Sequence, residues 1–315
     1  MLHLDETKKH LISTFLNNNR IKFRHDQKAS EYTTLAVGGI ISLLIEPNTK
    51  EELQALLLFL KQLEMEYFVL GAGSNLIISD GVIGVPLIKL GRGFRCYDKV
   101  ADKEKNPKKV LFEVGAAMPL MSLSRELSEC GYSGLEFAGG IPASLGGAVR
   151  INAGAHGHEL SEVIKEVSYV SKDGEIRVVG AEKIQFSYRQ SSIEKSAVIF
   201  SAKLELDVGD PDIINRKRRE CLDYRKETQP LTLPSFGSVF KNPSPDKTAG
   251  MLIESAGLKG FSLGEAKVSE LHANWIVNAN KKASASEVLE LIRVIKEKVK
   301  KHCGVELEEE VFFIE

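Results

Sequence analysis

Two glycine-dense segments are the first places in this sequence where the backbone itself could do chemistry. Gly71-Ala72-Gly73-Ser74-Asn75 follows the apolar run Tyr67-Phe68-Val69-Leu70. Glycines let a backbone approach a ligand closely, and successive N–H groups form an anion nest. No Gly-Lys-Ser/Thr follows, which excludes a Walker loop, and the fingerprint GxGxxG fails at Leu76. A plain tight turn would read the same way. The second segment is denser: Gly139-Gly140-Ile141-Pro142-Ala143-Ser144-Leu145-Gly146-Gly147-Ala148-Val149, then Asn152-Ala153-Gly154-Ala155. So much glycine costs more chain entropy than a packing turn needs, and it suits a backbone wrapped around a pyrophosphate. Two well-separated phosphate-type loops suit an extended dinucleotide better than a mononucleotide.

Three further segments carry side-chain candidates. In Phe186-Ser187-Tyr188-Arg189-Gln190-Ser191-Ser192, the arginine has the planar donor fork that clamps a carboxylate. A surface arginine on a loop would have the same local sequence. The stretch from Gln229 to Pro243 holds three prolines and the pair Gly237-Ser238, a rigid, irregular loop of the kind that presents functional groups. His272-Ala273-Asn274-Trp275-Ile276-Val277-Asn278 reads as a strand containing the only tryptophan. His156-Gly157-His158 offers two imidazoles but no further ligand cluster, so no metal is expected. Glu308-Glu309-Glu310 by itself reads as a solvated face.

The chain that must position these groups has 315 residues, with 42 Lys plus Arg against 43 Asp plus Glu, a net charge of −1. There is no basic excess to suggest a nucleic-acid partner. With 43% apolar and 27% charged residues, disorder, collagen and a coiled-coil rod are excluded, and two or three domains are expected. No apolar run approaches the roughly 20 residues that span a bilayer; the longest, Ala55–Leu60 and Ile40–Ile45, read as core. The opening MLHLDETKKH lacks a signal-peptide layout, and the cysteines at 96, 130, 221 and 303 form no CxxC pair. A reduced, cytoplasmic protein is the expectation.

Thr49-Lys50-Glu51-Glu52 is a capping box, opening a helix with Leu53, Leu56, Leu57, Leu60 and Leu63 on one face. The strand Tyr67–Leu70 follows, so the opening region reads as α/β. Pro119 to Cys130 reads as a helix ended by Gly131. Val167–Val170 and Ile176–Val179 flank the hairpin turn Lys172-Asp173-Gly174, and Ala197–Leu206 is a further strand. Asp210-Pro211-Asp212 breaks the pattern, which places a domain boundary near 209–212 before a helix over 213–226. Ser284-Ala285-Ser286-Glu287 caps a last helix with Val288, Ile292, Ile295 and Val299 on its apolar face and Gly304 at its end. Val305–Ile314 reads as a strand.

Along the chain, Gly71–Asn75, Gly139–Val149 with Asn152–Ala155, Tyr188-Arg189, Gly237–Pro243, His272–Asn278 and Glu308–Val311 follow one another in a recognisable order. Together they resemble the UDP-N-acetylenolpyruvoylglucosamine reductases of bacterial cell-wall synthesis, the MurB family, from about residue 31 to the end. Tyr188-Arg189-Gln190-Ser191-Ser192 and the Gln229-Pro230-Leu231 loop look like the shorter, type II branch. The resemblance implies an α+β FAD-binding fold of the vanillyl-alcohol-oxidase (PCMH) type with a third, substrate-binding α+β domain. The expected division is 1–88 with 305–315 as the first FAD subdomain, 89–209 as the second, and 210–304 as the substrate domain. FAD is the implied cofactor and NADPH the reducing co-substrate. The implied reaction reduces the enolpyruvyl ether of a UDP-sugar to UDP-N-acetylmuramate, in a cytoplasmic monomer without nucleic-acid or membrane partners.

Carried over residue by residue, the resemblance makes Arg189, Ser238 and Glu310 catalytic. It makes Gly71, Ala72, Gly73, Ser74, Asn75, Gly139, Gly140, Ile141, Pro142, Ser144, Gly146, Gly147, Asn152, Ala153, Gly154 and Ala155 cofactor-binding. Tyr188, Arg225, Gln229 and Asn242 become substrate contacts. The chemistry fits these types: Arg189 is a permanent cation for an enolate of the substrate carboxylate, and Glu310 must hold a proton to help there. Ser238 is the implied proton donor, a weak acid that donates only to a strongly basic acceptor; Lys241 lies close by in sequence. The chain departs from the family's pattern at Ala143 (usually Gly), Leu271 (often Lys), Glu309 (usually Pro) and Phe312 (usually Arg). Two other classes compete: another flavin oxidoreductase on the same scaffold, and a nucleotide-binding regulator without catalysis.

Overall fold

The computed structural model describes residues 4–100 and 106–315; residues 1–3 of the N-terminal stretch read above, and 101–105, lie outside it. By its internal contacts the chain divides into two compact units, each assembled from separated stretches. The first takes the chain up to His25, then Leu43–Ala72 and Gly84–Asp223; the second takes Asp26–Ser42, Gly73–Ile83 and Tyr224–Glu315.

The first unit is built on an antiparallel sheet in the order Ile176–Gly180, Ile164–Val170, Val198–Val208, Lys109–Gly115, Tyr97–Val100. The expected hairpin is its edge, with Val167 opposite Val179 and Val170 opposite Ile176. The helices Leu120–Glu129 and Leu145–Arg150 contribute Leu120, Leu123, Leu127, Leu145 and Val149 to a core shared with Phe112, Val114, Leu204 and Leu206. Pro119 stands at the N-cap of the former helix, and Gly131 beyond its end has φ +81°.

A second core in this unit gathers around the helix Lys50–Gln62. Leu53, Leu56, Leu57 and Leu60 are all 0% exposed, packed with Ile12 and Leu16 of the helix Glu6–Asn18 and with Leu43, Ile45 and Ile88. Each such leucine contributes roughly 1.5–3 kcal/mol of hydrophobic stabilisation. A short parallel sheet lies there, with Ile45 and Val69 both opposite Ile88. The capping box expected at Thr49 is only half formed. Thr49 accepts the Glu52 N–H at 3.1 Å, but the Glu52 carboxylate accepts the Asn48 N–H at 2.6 Å, satisfying the donor one residue before the cap.

In the second unit the helix Ala285–Cys303 has both halves of its capping box, Ser284 and Glu287, and ends on Gly304 at φ +68°. Val288, Ile292, Ile295 and Val299 are buried as expected, with Leu291 beside them. They share a core with the helix Ala249–Ser255 and with the three-stranded antiparallel sheet Ser262–Leu263, Ala266–Val268, Ile276–Val277. Asp80 lies at the start of the long helix, accepting the N–H groups of Ala285 at 2.7 Å and Ser286 at 2.9 Å. The helix expected over 213–226 runs Pro211–Thr228, started by Asp210, whose carboxylate accepts the Asp212 N–H at 2.8 Å.

Two expected strands are shorter than their sequences suggested. Within 272–278 only Ile276–Val277 is a strand. Residues 272–275 form a turn closed by the Trp275 N–H on His272 O at 3.1 Å, because Ser269 Oγ takes the Leu271 and His272 N–H groups that a ladder would use. Within 305–314 only Phe312–Ile314 is a strand, parallel to Leu76–Ile78. Among the described residues no helix is long and apolar enough to cross a membrane.

Candidate active site

A cavity of about 780 Å³ lies in the first unit. Gly71 and Ala72 of one glycine segment line it together with Ala143, Ser144, Gly146 and Gly147 of the other. A Cβ on Gly71 would stand 2.8 Å from Ser144 Oγ, so the two loops approach closely there and any larger residue would displace the serine hydroxyl. In the second unit Gly73, at φ +71°, is equally constrained, since a Cβ would meet Tyr32 O at 1.9 Å.

Lys22, Arg24, Lys89, Arg92, Arg95 and Arg150 line the same cavity against a single carboxylate, Glu46. Glu46 is paired with Lys22 at 3.0 Å and Arg24 at 3.4 Å. Lys89 donates to Gly71 O at 3.0 Å. Burial pulls its proton affinity below the ordinary lysine value, with Arg95 adding to the effect and Glu46 opposing it. Arg150 is anchored on the carbonyls of Glu194 at 2.9 Å and Ala197. A glycine-walled cavity with this excess of cations fits a dinucleotide carrying a diphosphate, as FAD does. Among the described residues no group of three or more His, Cys, Asp or Glu could hold a metal ion; His158 pairs with Glu162 at 2.8 Å.

The remaining glycine-segment residues sit differently. Gly139 and Gly140 end the buried 3-10 turn Glu136–Gly140, and the missing Cβ of Gly139 makes room for Arg218, whose Cγ would lie at 3.0 Å. Ile141 and the exposed Pro142 follow this turn. Asn152 is fully buried: its amide donates to Glu159 Oε2 at 2.7 Å and Ser187 O at 3.3 Å, and its oxygen accepts the Ser161 N–H at 3.0 Å. Ala153 is buried beside it, and Gly154–Ala155 pairs with His158–Glu159.

This arrangement carries Arg189. Phe186–Ser187 and Gln190–Ser191 form a hairpin with Tyr188 and Arg189 as its two-residue tip. Arg189 has φ +58°, a conformation a non-glycine residue adopts at some cost in strain. Its guanidinium donates to Gly154 O at 3.0 Å and stacks 4.9 Å from the Tyr188 ring centroid.

Ser238 and Glu310 belong to the second unit, where their segments run side by side. The Glu310 N–H donates to Val239 O at 2.8 Å, the Lys241 N–H donates to Glu308 O at 2.9 Å, and Phe240 pairs antiparallel with Glu309. Asn75 donates from its side chain to Glu310 O at 3.0 Å and accepts the Phe312 N–H at 3.0 Å. The three glutamates are thus distinguished: Glu308 pairs with Lys241, Glu309 with Lys296 at 2.7 Å, and Glu310 lies beside the serine segment. Glu309, the departure from proline, is held by that ion pair and by its backbone bridge. On the other edge Val239 and Phe240 bond to Asn274.

Among the expected substrate contacts, Arg225 is 8% exposed and donates from Nε to Gln229 Oε1 at 2.8 Å. Asn242 Oδ1 accepts the Ala249 N–H at 3.0 Å. Burial, reinforced by Lys259, lowers the proton affinity of His272, and its Nδ1 accepts the Asn274 N–H at 3.2 Å. The cavity cations and Asn274 were not singled out from the sequence. No motif marks the cations; Asn274 lay inside a motif that read as a strand.

Residues 41–180 match the model of an FAD binding domain, and residues 229–314 match the C-terminal domain of UDP-N-acetylenolpyruvoylglucosamine reductase. The reductase of that name from Anoxybacillus flavithermus is 40% identical over 290 residues, 91% of this chain and 93% of that protein. The one from Bacillus subtilis is 38% identical over 292 residues, 92% of this chain and 93% of that protein. The crystal structure of UDP-N-acetylenolpyruvylglucosamine reductase (MurB) from Thermus caldophilus superimposes with a TM-score of 0.78 at 34% identity, over 94% of this chain and 99% of that one. The fold is α+β, of the expected FAD-binding type. The chain belongs to the UDP-N-acetylenolpyruvoylglucosamine reductase family.

Proposed function

We propose that this chain reduces the enolpyruvyl ether of UDP-N-acetylglucosamine enolpyruvate to UDP-N-acetylmuramate in peptidoglycan precursor synthesis, with FAD as cofactor and NADPH as reductant. The observation that carries the residue assignments is the pairing of the Ser238 and Glu310 segments, inside the stretch matched by the reductase C-terminal domain. Bound FAD supplies the redox chemistry, passing hydride equivalents from NADPH to the alkene.

The protein's own residues do the rest. Gly71, Ala72, Ser144, Gly146 and Gly147 would give the cofactor close backbone walls, and the cations that line the same cavity would neutralise its diphosphate. Gly139, Gly140, Ile141, Pro142, Asn152, Ala153, Gly154 and Ala155 would support that site, and Gly73, Ser74 and Asn75 are further proposed cofactor contacts. Arg189 provides the fixed positive charge that stabilises the enolate of the substrate carboxylate. Glu310 carries a proton when that charge builds, since an ionised carboxylate would repel it. Ser238 gives its hydroxyl proton to the carbanion carbon. Lys241, paired with Glu308, leaves this role to the serine. Tyr188, Arg225, Gln229 and Asn242 contact the UDP-sugar. The three-domain division, a monomeric state and a cytoplasmic location belong to the same reading.

Stopped-flow absorbance of the flavin tests the assignment of Ser238. Ser238→Ala should be reduced by NADPH at close to the normal rate, because that step takes no proton from Ser238. Reoxidation by the enolpyruvyl sugar should slow by about 10²–10⁴-fold, roughly 3–5 kcal/mol, the usual worth of a positioned general acid. Ser238→Cys should recover part of the rate. Normal reoxidation of Ser238→Ala would hand the role to water or another donor.

A further inference from the structure

We infer that Asn274 is a positioning residue for Ser238, locking the backbone of Val239 and Phe240 so that the serine hydroxyl is held in one place. The inference rests on the reading of Ser238 as proton donor. Asn274 is 2% exposed and makes three hydrogen bonds to this segment. Its backbone carbonyl accepts the Val239 N–H at 2.9 Å, its Oδ1 accepts the Phe240 N–H at 3.0 Å, and its Nδ2 donates to Phe240 O at 2.8 Å. The side-chain amide therefore acts as a one-residue strand partner. The opposite edge is taken by Glu310 and Glu308, through Val239 O and the Lys241 N–H. With both edges bonded, the hydroxyl of the adjoining Ser238 hangs from a fixed backbone.

Only an asparagine-like amide fits this position. One planar group must present an acceptor to an N–H and a donor to a C=O of the same residue. An aspartate would face Phe240 O with a second acceptor, and a leucine would leave two buried backbone groups unpaired. A proton donor tolerates little displacement, since a misplacement of about 1 Å can cost on the order of 10²-fold.

The test uses the flavin-loaded enzyme, in which stopped-flow amplitudes report the folded fraction and rate constants report the step itself. Asn274→Leu removes the clamp, and Asn274→Ser keeps a polar group too short to bridge Phe240. Asn278→Leu is the comparison. Asn278 is 0% exposed and makes similar bonds elsewhere, to Leu35 O and the N–H groups of Lys282 and Ala283. In both Asn274 variants, reduction by NADPH should stay within about twofold, reoxidation should slow by about 10–100-fold, and the KM for the UDP-sugar should move little. Asn278→Leu should lose stability without this split.

In a Ser238→Ala background, Asn274→Leu should slow reoxidation by less than about twofold, because the group it positions is already gone. Equal slowing of both half-reactions, full additivity with Ser238→Ala, or an Asn274→Ser protein that fails to hold flavin would each overturn the assignment and leave Asn274 a structural residue. A slow Ser238→Ala beside normal Asn274 variants would defeat this inference alone. A normally reoxidising Ser238→Ala would defeat the proton-donor reading on which it rests.

Discussion

Lys89 directs its charge at a backbone carbonyl, Gly71 O, inside a cavity that the two glycine segments share. A half-buried ammonium in that place is suited to an anionic group such as a diphosphate. Lys89→Met keeps the stem and removes the charge. Reconstitution of the apoprotein, followed by quenching of flavin fluorescence, should show the Kd for FAD raised by about 10-fold or more, the scale of one charge-assisted hydrogen bond. Riboflavin, which has no diphosphate, should bind within about twofold of normal. Equal weakening of both would reduce Lys89 to a support for the Gly71 turn. Nothing near Leu87-Ile88-Lys89 announces this role, because the approach of Lys89 to Gly71 is made by a parallel strand pairing and not by local sequence. The hairpin tip that carries Arg189 is, by contrast, built from its immediate neighbours.

The helix Ala285–Cys303 shows the same contrast between elements. Its capping box, apolar face and terminal glycine were all readable, since each depends on spacing within one helix. The Asp80 carboxylate that also caps it comes from a distant stretch and was not. Partial burial pushes the Asp80 carboxyl up, but the Ser286 hydroxyl and the N–H groups of Ser286 and Ala285 outweigh it, so its proton affinity falls below the ordinary value. A depressed carboxylate stabilises the fold above its unfolded pKa of about 3.9, and that stabilisation is lost as pH falls through the lower folded value. Asp80→Asn should therefore cost about 1 kcal/mol at pH 7, a typical cap, and progressively less below about pH 4. Thermal melts at both ends check this; a loss that does not change with pH would point to packing. The strands expected over 272–278 and 305–314 were over-read because side chains and a neighbouring loop take backbone groups that alternation alone assigns to a ladder.

Across the whole molecule, the proposed reading assigns the two half-reactions to different stretches of chain. Gln229→Ala and Asn242→Ala should raise the KM for the UDP-sugar by about 10-fold while leaving reduction by NADPH within about twofold. Steady-state kinetics with and without the sugar would show it, and equal loss in both steps would refute the division. Asn242→Ala should also lower thermal stability, as Asn242 caps the helix Ala249–Ser255. The two-unit partition was hidden from the sequence, since composition does not reveal that Asp26–Ser42 and Gly73–Ile83 belong with the last quarter of the chain. That interleaving sets a timetable for the newborn protein. Leu76–Ile78 leaves the ribosome well before its strand partner Phe312–Ile314 is made. At about 5–20 residues per second the wait is roughly ten to fifty seconds. Throughout it, Leu35, Val37 and Ile77 stand without the core neighbours that the helix Ala285–Cys303 brings, and are natural clients for a holding chaperone.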